Sequence, residues 1–205
     1  MPLLFIEELP EYALALWEIA EEISELESLI PQNELEKIKE NTHLEKRKRE
    51  KISQFLLLKS LGISHSELFY QENGKPMLNS DLNISFSHSG NLSIAILAKG
   101  KCGIDIEYPS EKIIRIASKF INEKEHSLMQ NETNIYWAWS IKEAVFKYFG
   151  ERVLFKDHIQ ILEILEEEKK ASVIYRGFHG EGVFELKIDR IKNYYLAFVK
   201  TFTPA

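Results

Sequence analysis

The sequence predicts an α+β protein made of two comparable halves. Three observations carry the prediction. Helix-period and strand-period segments come in blocks and do not alternate one by one. A run of strand, helices and strands is followed by a second run of helices and strands. The change falls near residues 100–110 with no Pro-, Gly- or Ser-rich linker, so the halves, 1–102 and 103–205, are expected to pack tightly.

The elements follow in order. "LLFIEEL" reads as a short opening strand. "YALALWEIAEEISELESLI" carries apolar residues at helical spacing and is expected to be a helix ended by Pro31. "ELEKIKENTHLEKRKREKISQFLLLKSLG" predicts one long helix or two, closed by Gly62. "ELFYQENGKPML" has turn residues at Asn73 and Gly74. "NISFSHSGNLSIAILAKGKCGIDIEY" alternates apolar and small polar residues between turn signals and predicts a three-stranded meander. In the second half "SEKIIRIASKF" predicts a helix capped by Ser110, "NEKEHSLMQ" a second, and "ETNIYWAWSIKEAVFKYFG" a third stopped at Gly150. "HIQILEI", "ASVIYRG", "GVFELKID" and "YYLAFVKTF" predict four closing strands.

Composition limits the function classes. The 205 residues are 44% hydrophobic and 28% charged, ordinary for a soluble globular protein. No apolar run reaches membrane-spanning length. The start, "MPLLFIEELPEY", has acids where a signal peptide has a basic region. A cytoplasmic protein is expected, and the lone Cys102 fits a reducing compartment. A net charge of −6 argues against a general nucleic-acid binder. Against that background "EKRKREK" (45–51) is locally basic. It suits a small anionic ligand or one anionic partner; equally, Glu45 and Arg49 at i,i+4 suit a solvated helix face.

Chemistry enters at "GIDIE". On a strand, Ile104 and Ile106 face the core while Asp105 and Glu107 share the other face, about 7 Å apart. Either water covers that face or a cation sits between the acids. In "WAWSIKEAVFKYFG", Trp139, Glu143 and Lys147 lie at four-residue spacing on one helical stripe, and Lys142 is turned about 100° away. Phe146 and Phe149 look like core. In "ISFSHSG", His88 points away from Ser87 and Ser89, so no serine nucleophile and base are paired. The cluster suits hydrogen bonding to a phosphate, or is a polar turn after a strand. "GKP" (74–76) presents Lys75 on a turn. There is no G-x-x-x-x-G-K-[ST] loop, no G-x-G-x-x-G and no zinc spacing. Hard oxygen donors without nitrogen or sulfur favour Mg²⁺, which usually keeps waters and binds one or two carboxylates together with substrate phosphates. The residues thus point to metal-dependent chemistry on a phosphate or pyrophosphate.

Four motifs in this order, "GKPML", "ISFSHSG", "GIDIE" and "WSIKEAVFK", resemble those of the 4'-phosphopantetheinyl transferases of the two-half, Sfp-like type. The resemblance spans roughly residues 74 to 150. It implies two similar α+β halves related by a pseudo-twofold, with the active site at their junction. It implies transfer of 4'-phosphopantetheine from coenzyme A to a serine of an apo-acyl or peptidyl carrier protein, releasing adenosine 3',5'-bisphosphate. Carried over, Asp105, Glu107 and Glu143 look like ligands of Mg²⁺, with Mn²⁺ as the alternative ion. Lys147 looks like a phosphate contact, and Glu143 or a metal-bound water would take the serine proton. Lys75, Ser87 and His88 look like coenzyme A phosphate contacts. Arg49, then Arg47, are the candidates for the nucleotide 3'-phosphate. A monomer free of nucleic acid and membrane is expected. The chain departs from the family pattern at Ser85, where many members have asparagine, and at Phe86, which is bulkier. The alternatives are a catalytically idle relative that only binds coenzyme A or a carrier protein, a Mg²⁺-dependent nucleic-acid enzyme, and a scaffold.

Overall fold

The computed structural model describes residues 3–42 and 44–205; His43, inside the long helical run expected from sequence, lies outside them. The chain opens with the antiparallel pair β1 (Leu3–Glu8) and β2 (Tyr12–Glu18), followed by α1 (Ile23–Ser28), α2 (Gln32–Asn41) and α3 (Glu45–Ser60). The helix expected over residues 12–30 is therefore a strand for its first half. The reason is burial on both sides. Ala15 and Trp17 of β2 pack among the helices while Leu14 and Leu16 face the second half. A strand covered on both faces is apolar throughout and loses the period-two signature that marks a strand.

A short hairpin, β3 (Leu68–Tyr70) and β4 (Pro76–Leu78), turns at Gly74, whose φ of 81° needs glycine. Next come β5 (Asn83–Ser89), β6 (Leu92–Ala98) and β7 (Ile104–Glu107), then α4 (Glu111–Ile116), α5 (Glu132–Phe149) and α6 (Phe155–His158). The chain closes with β8 (Ile159–Leu165), β9 (Lys170–Gly177), β10 (Gly180–Ile191) and β11 (Tyr194–Pro204). The helix expected at "NEKEHSLMQ" is only a 3-10 turn, Glu123–Glu125.

The sheets are ordered β1-β2-β6-β5 and β7-β11-β10-β9-β8, all antiparallel. The expected meander therefore stops after two strands. β6 already has β2 on one edge and β5 on the other, so β7 crosses over and pairs with β11. The first sheet packs α1–α3 on one face. Its other face meets the second sheet through Leu14, Leu16, Ile94 and Ile96 against Ile104, Ile106, Leu196 and Phe198. The far face of the second sheet carries α5, with Trp137, Ile141 and Val145 fully buried. Gly103 permits this layering: a Cβ there would collide with the Ala144 carbonyl and the Tyr148 amide of α5. Among the described residues no helix is long and apolar enough to cross a membrane.

Candidate active site

Where β5, β7 and α5 converge, the surface folds into a cleft of about 410 Å³. The alternation of β7 builds its floor. Ile104 and Ile106 are wholly buried between the sheets, which turns Asp105 and Glu107 toward α5. The helical stripe of α5 supplies the facing wall with Trp139, Glu143 and Lys147. Residues 38 apart in sequence thus meet because one strand and one helix each expose their polar side to the same gap.

The hydrogen bonding is dense on one side and incomplete on the other. The Lys147 ammonium donates to Asp105 Oδ1 at 2.7 Å and to Ser87 Oγ at 2.8 Å. Ser87 Oγ donates in turn to Asp105 Oδ1 at 2.8 Å, and Ser89 Oγ donates to Glu107 Oε1. Asp105 is 4% exposed, yet its Oδ2 has no partner. A buried carboxylate oxygen without a donor is costly. Burial, reinforced by the charges of Asp105 and Glu107, pushes Glu143 up to about 7. Burial also raises Glu107, partly offset by hydrogen bonds from Ser89, Trp139 and the Tyr108 amide.

These features suit a hard divalent cation: three carboxylates, one orphaned oxygen, and one acid that burial and the neighbouring acids make reluctant to ionise. Among the described residues, no group of three or more His, Cys, Asp or Glu side chains is already gathered as a ligand set. A cation would therefore have to draw the acids together.

The other residues singled out from sequence are distributed unevenly. Lys75 borders the cleft, but its ammonium caps α5, donating to the carbonyls of Tyr148 at 2.7 Å and Phe149 at 3.4 Å. Ser87 is buried and turned inward to Asp105; its proton and both lone pairs are engaged by Asp105, Lys147 and the Ile106 amide. His88 points the opposite way and pairs with Glu50 at 2.9 Å. Burial, with Lys147 and Lys46 nearby, lowers its pKa despite that partner. Arg49 lines a neighbouring hollow of about 160 Å³ together with Lys46, Glu50 and His88. Its guanidinium is held by Glu45 at 3.0 Å, by Glu22 and by the Glu21 carbonyl. Arg47 is exposed and lines neither hollow. Cys102 is buried, with its thiol pushed up to about 12, in keeping with a packing role.

Sequence reasoning missed Glu50, Gln54, Tyr70 and Phe146. Glu50 was legible as the second of two acids in the basic run 45–51, three residues before Ser53 turns into the core. Gln54, Tyr70 and Phe146 line the cleft; Tyr70 bonds Gln54 at 3.0 Å and carries Lys51 over its ring. Nothing local announces such a pairing. Phe146, expected to be core, is only partly buried and borders the cleft while packing on Phe155.

A cleft that gathers three acids, a lysine and a histidine beside β5, β7 and α5 has the make-up of a binding site for a phosphate-bearing ligand. Residues 101–199 match the family model of the 4'-phosphopantetheinyl transferase superfamily, the family that the four motifs resemble. Over 142 residues the chain is 30% identical to "4'-phosphopantetheinyl transferase gsp" of Aneurinibacillus migulanus, covering 62% of this chain and 60% of that protein. Over 89 residues it is 34% identical to "4'-phosphopantetheinyl transferase" of Bacillus subtilis, covering 40% of each. The matched region thus spans about 60% of the length of the first relative and less of the second.

Proposed function

We propose that the protein transfers the 4'-phosphopantetheine of coenzyme A to a serine of an apo-acyl or peptidyl carrier protein, with Mg²⁺ or Mn²⁺, releasing adenosine 3',5'-bisphosphate. The observation that carries this reading is the unpartnered Asp105 Oδ2 in a cleft shared with Glu107, Glu143 and Lys147. The names of the two relatives support the same transfer.

Asp105, Glu107 and Glu143 would hold the ion. When bound it supplies positive charge against the pyrophosphate oxygens, the main requirement of phosphoryl-type transfer. Lys147 adds a mobile charge: released from Asp105, its ammonium can follow the developing charge on a phosphate oxygen. Glu143, in the same cleft, is the residue that would take the proton of a carrier serine. His88, opening onto both hollows, is placed to meet a phosphate once it leaves Glu50. Arg49 is placed beside the second hollow for a further phosphate. Lys75 would have to leave the end of α5 to do the same, and Arg47 would act only through rearrangement of α3. We read the two halves, 1–102 and 103–205, as related by a pseudo-twofold and forming one monomeric, cytoplasmic unit without nucleic acid or membrane.

The test is incubation with coenzyme A, Mg²⁺ and several apo-carrier proteins, read by intact mass. The expected result is one added phosphopantetheine on a carrier serine, dependent on the ion. Coenzyme A bound by calorimetry with no carrier modified would make the protein an idle binding relative instead.

A further inference from the structure

The seam between the two sheets is built in an unusual way. β5 is the free edge of the first sheet and β7 the free edge of the second. Their backbones do not form a ladder. Instead, the inward amides of β7 bond to serine side chains of β5: Ile104 N to Ser85 Oγ at 3.3 Å, Ile106 N to Ser87 Oγ at 3.1 Å, and Tyr108 N to Ser89 Oγ at 3.0 Å. Serine recurs at every second residue of β5, so each hydroxyl meets every second amide of β7. The arrangement satisfies the two buried edge amides, Ile104 and Ile106; the Tyr108 amide, just past β7, is exposed and also donates to Glu107 Oε1 at 3.2 Å.

Two of the three hydroxyls do a second thing. A hydroxyl that accepts from an amide still has its own proton to give. Ser87 gives it to Asp105 Oδ1 and Ser89 gives it to Glu107 Oε1. In both cases the carboxylate belongs to the residue just before the bonded amide. One serine thus fixes the backbone and the acid of the same β7 segment. Ser85 has no such acid to hold, because the residue before Ile104 is Gly103.

We infer that Ser87 and Ser89 are positioning residues for the cation: the first half of the chain sets the direction of two acids that belong to the second half. Each hydroxyl occupies one carboxylate oxygen and leaves the other, Asp105 Oδ2 among them, for the ion. Partners of this kind behind a metal ligand typically change metal affinity by about 10- to 100-fold. Because the serines and the acids lie on opposite sides of the seam, ion binding and the packing of the halves stabilise one another. The inference rests on the metal-dependent reading above.

The test is calorimetric titration of Mn²⁺ and Mg²⁺ into the full-length protein without coenzyme A, paired with thermal melts with and without the ion. Ser89→Ala is expected to weaken Mn²⁺ by about 10-fold or more and to shrink the ion-induced rise in melting temperature. Ser89→Thr keeps the hydroxyl and is expected to restore both. Ser85→Ala loses one seam bond but no carboxylate contact; it is expected to lower the melting temperature while leaving Mn²⁺ affinity within about twofold. Equal loss of affinity in Ser85→Ala and Ser89→Ala, or unchanged affinity in Ser89→Ala, would overturn the inference. Failure of the unmodified protein to bind either ion would instead overturn the metal-dependent reading itself.

Discussion

Two lysine–carboxylate pairs sit on successive turns of α5, and they are opposites. On one side Lys142 and Glu125 are both completely buried. The Lys142 ammonium donates to Glu125 Oε2 and to the carbonyls of Phe120, Phe155 and Ile159. Glu125 also receives the amides of Asn122 and Ile161. Every polar atom of that pair is answered, and the pair fastens α5 to the 3-10 turn and to β8. On the other side Lys147 and Asp105 are open to the cleft, and Asp105 Oδ2 is left without a partner. The difference teaches how to tell the two roles apart. A closed polar network is structure; an open pair on a cleft with a carboxylate oxygen unanswered leaves an acceptor for a ligand.

Four substitutions or titrations would break or sharpen that contrast. The largest effect is expected in the open pair. Asp105→Ala or Glu143→Ala should lower carrier modification by about a thousandfold, roughly 4 kcal/mol of transition-state stabilisation, while the thermal melt stays cooperative. A rate within tenfold of the original would remove these acids from the site. The closed pair should behave in reverse. Glu125→Gln leaves a buried ammonium without its counter-charge and should cost about 3–5 kcal/mol in urea unfolding. Activity per folded molecule should fall far less than for Asp105→Ala, and a near-normal unfolding curve would contradict the structural role.

The third effect is a pH dependence. Glu143 is raised to about 7, so it holds its proton more tightly in the fold than in the unfolded chain. The protein without added ion should therefore become more stable, as far as this group is concerned, as pH falls from about 7 toward ordinary carboxylate values. An ion must displace that proton, so Mn²⁺ affinity should drop by about tenfold per pH unit below 7. Calorimetry from pH 8 to pH 5.5 checks this; a flat profile would mean that Glu143 does not meet the ion. The smallest effect is at the rim. His88→Ala should raise KM for coenzyme A by several-fold with kcat little changed, since one charge-assisted contact is lost. An unchanged KM would leave His88 with Glu50 alone.

How much of this was legible in the residues depended on the range of the forces involved. Ile104, Asp105, Ile106 and Glu107 could be sorted to their faces because the strand period is fixed by local geometry. Trp139, Glu143 and Lys147 could be put on one stripe for the same reason. β2 could not be distinguished from a helix, because what decided its conformation was burial by two separate layers. Nor could the crossing of β7 be read, since it depends on β6 having no free edge. Ser87 was expected as a phosphate contact; its bonds to Asp105 and the Ile106 amide follow from where β7 lies, which no spacing within "ISFSHSG" records. The pairing of Lys142 with Glu125, 17 residues away, is likewise a product of packing.

A crystal grown with coenzyme A and Mg²⁺ tests the central claim most directly. The ion is expected on Asp105 Oδ2, Glu107 and Glu143, with the Lys147 ammonium moved from Asp105 onto a phosphate oxygen. A cofactor bound elsewhere, with Lys147 still on Asp105 and Oδ2 still unpartnered, would contradict it.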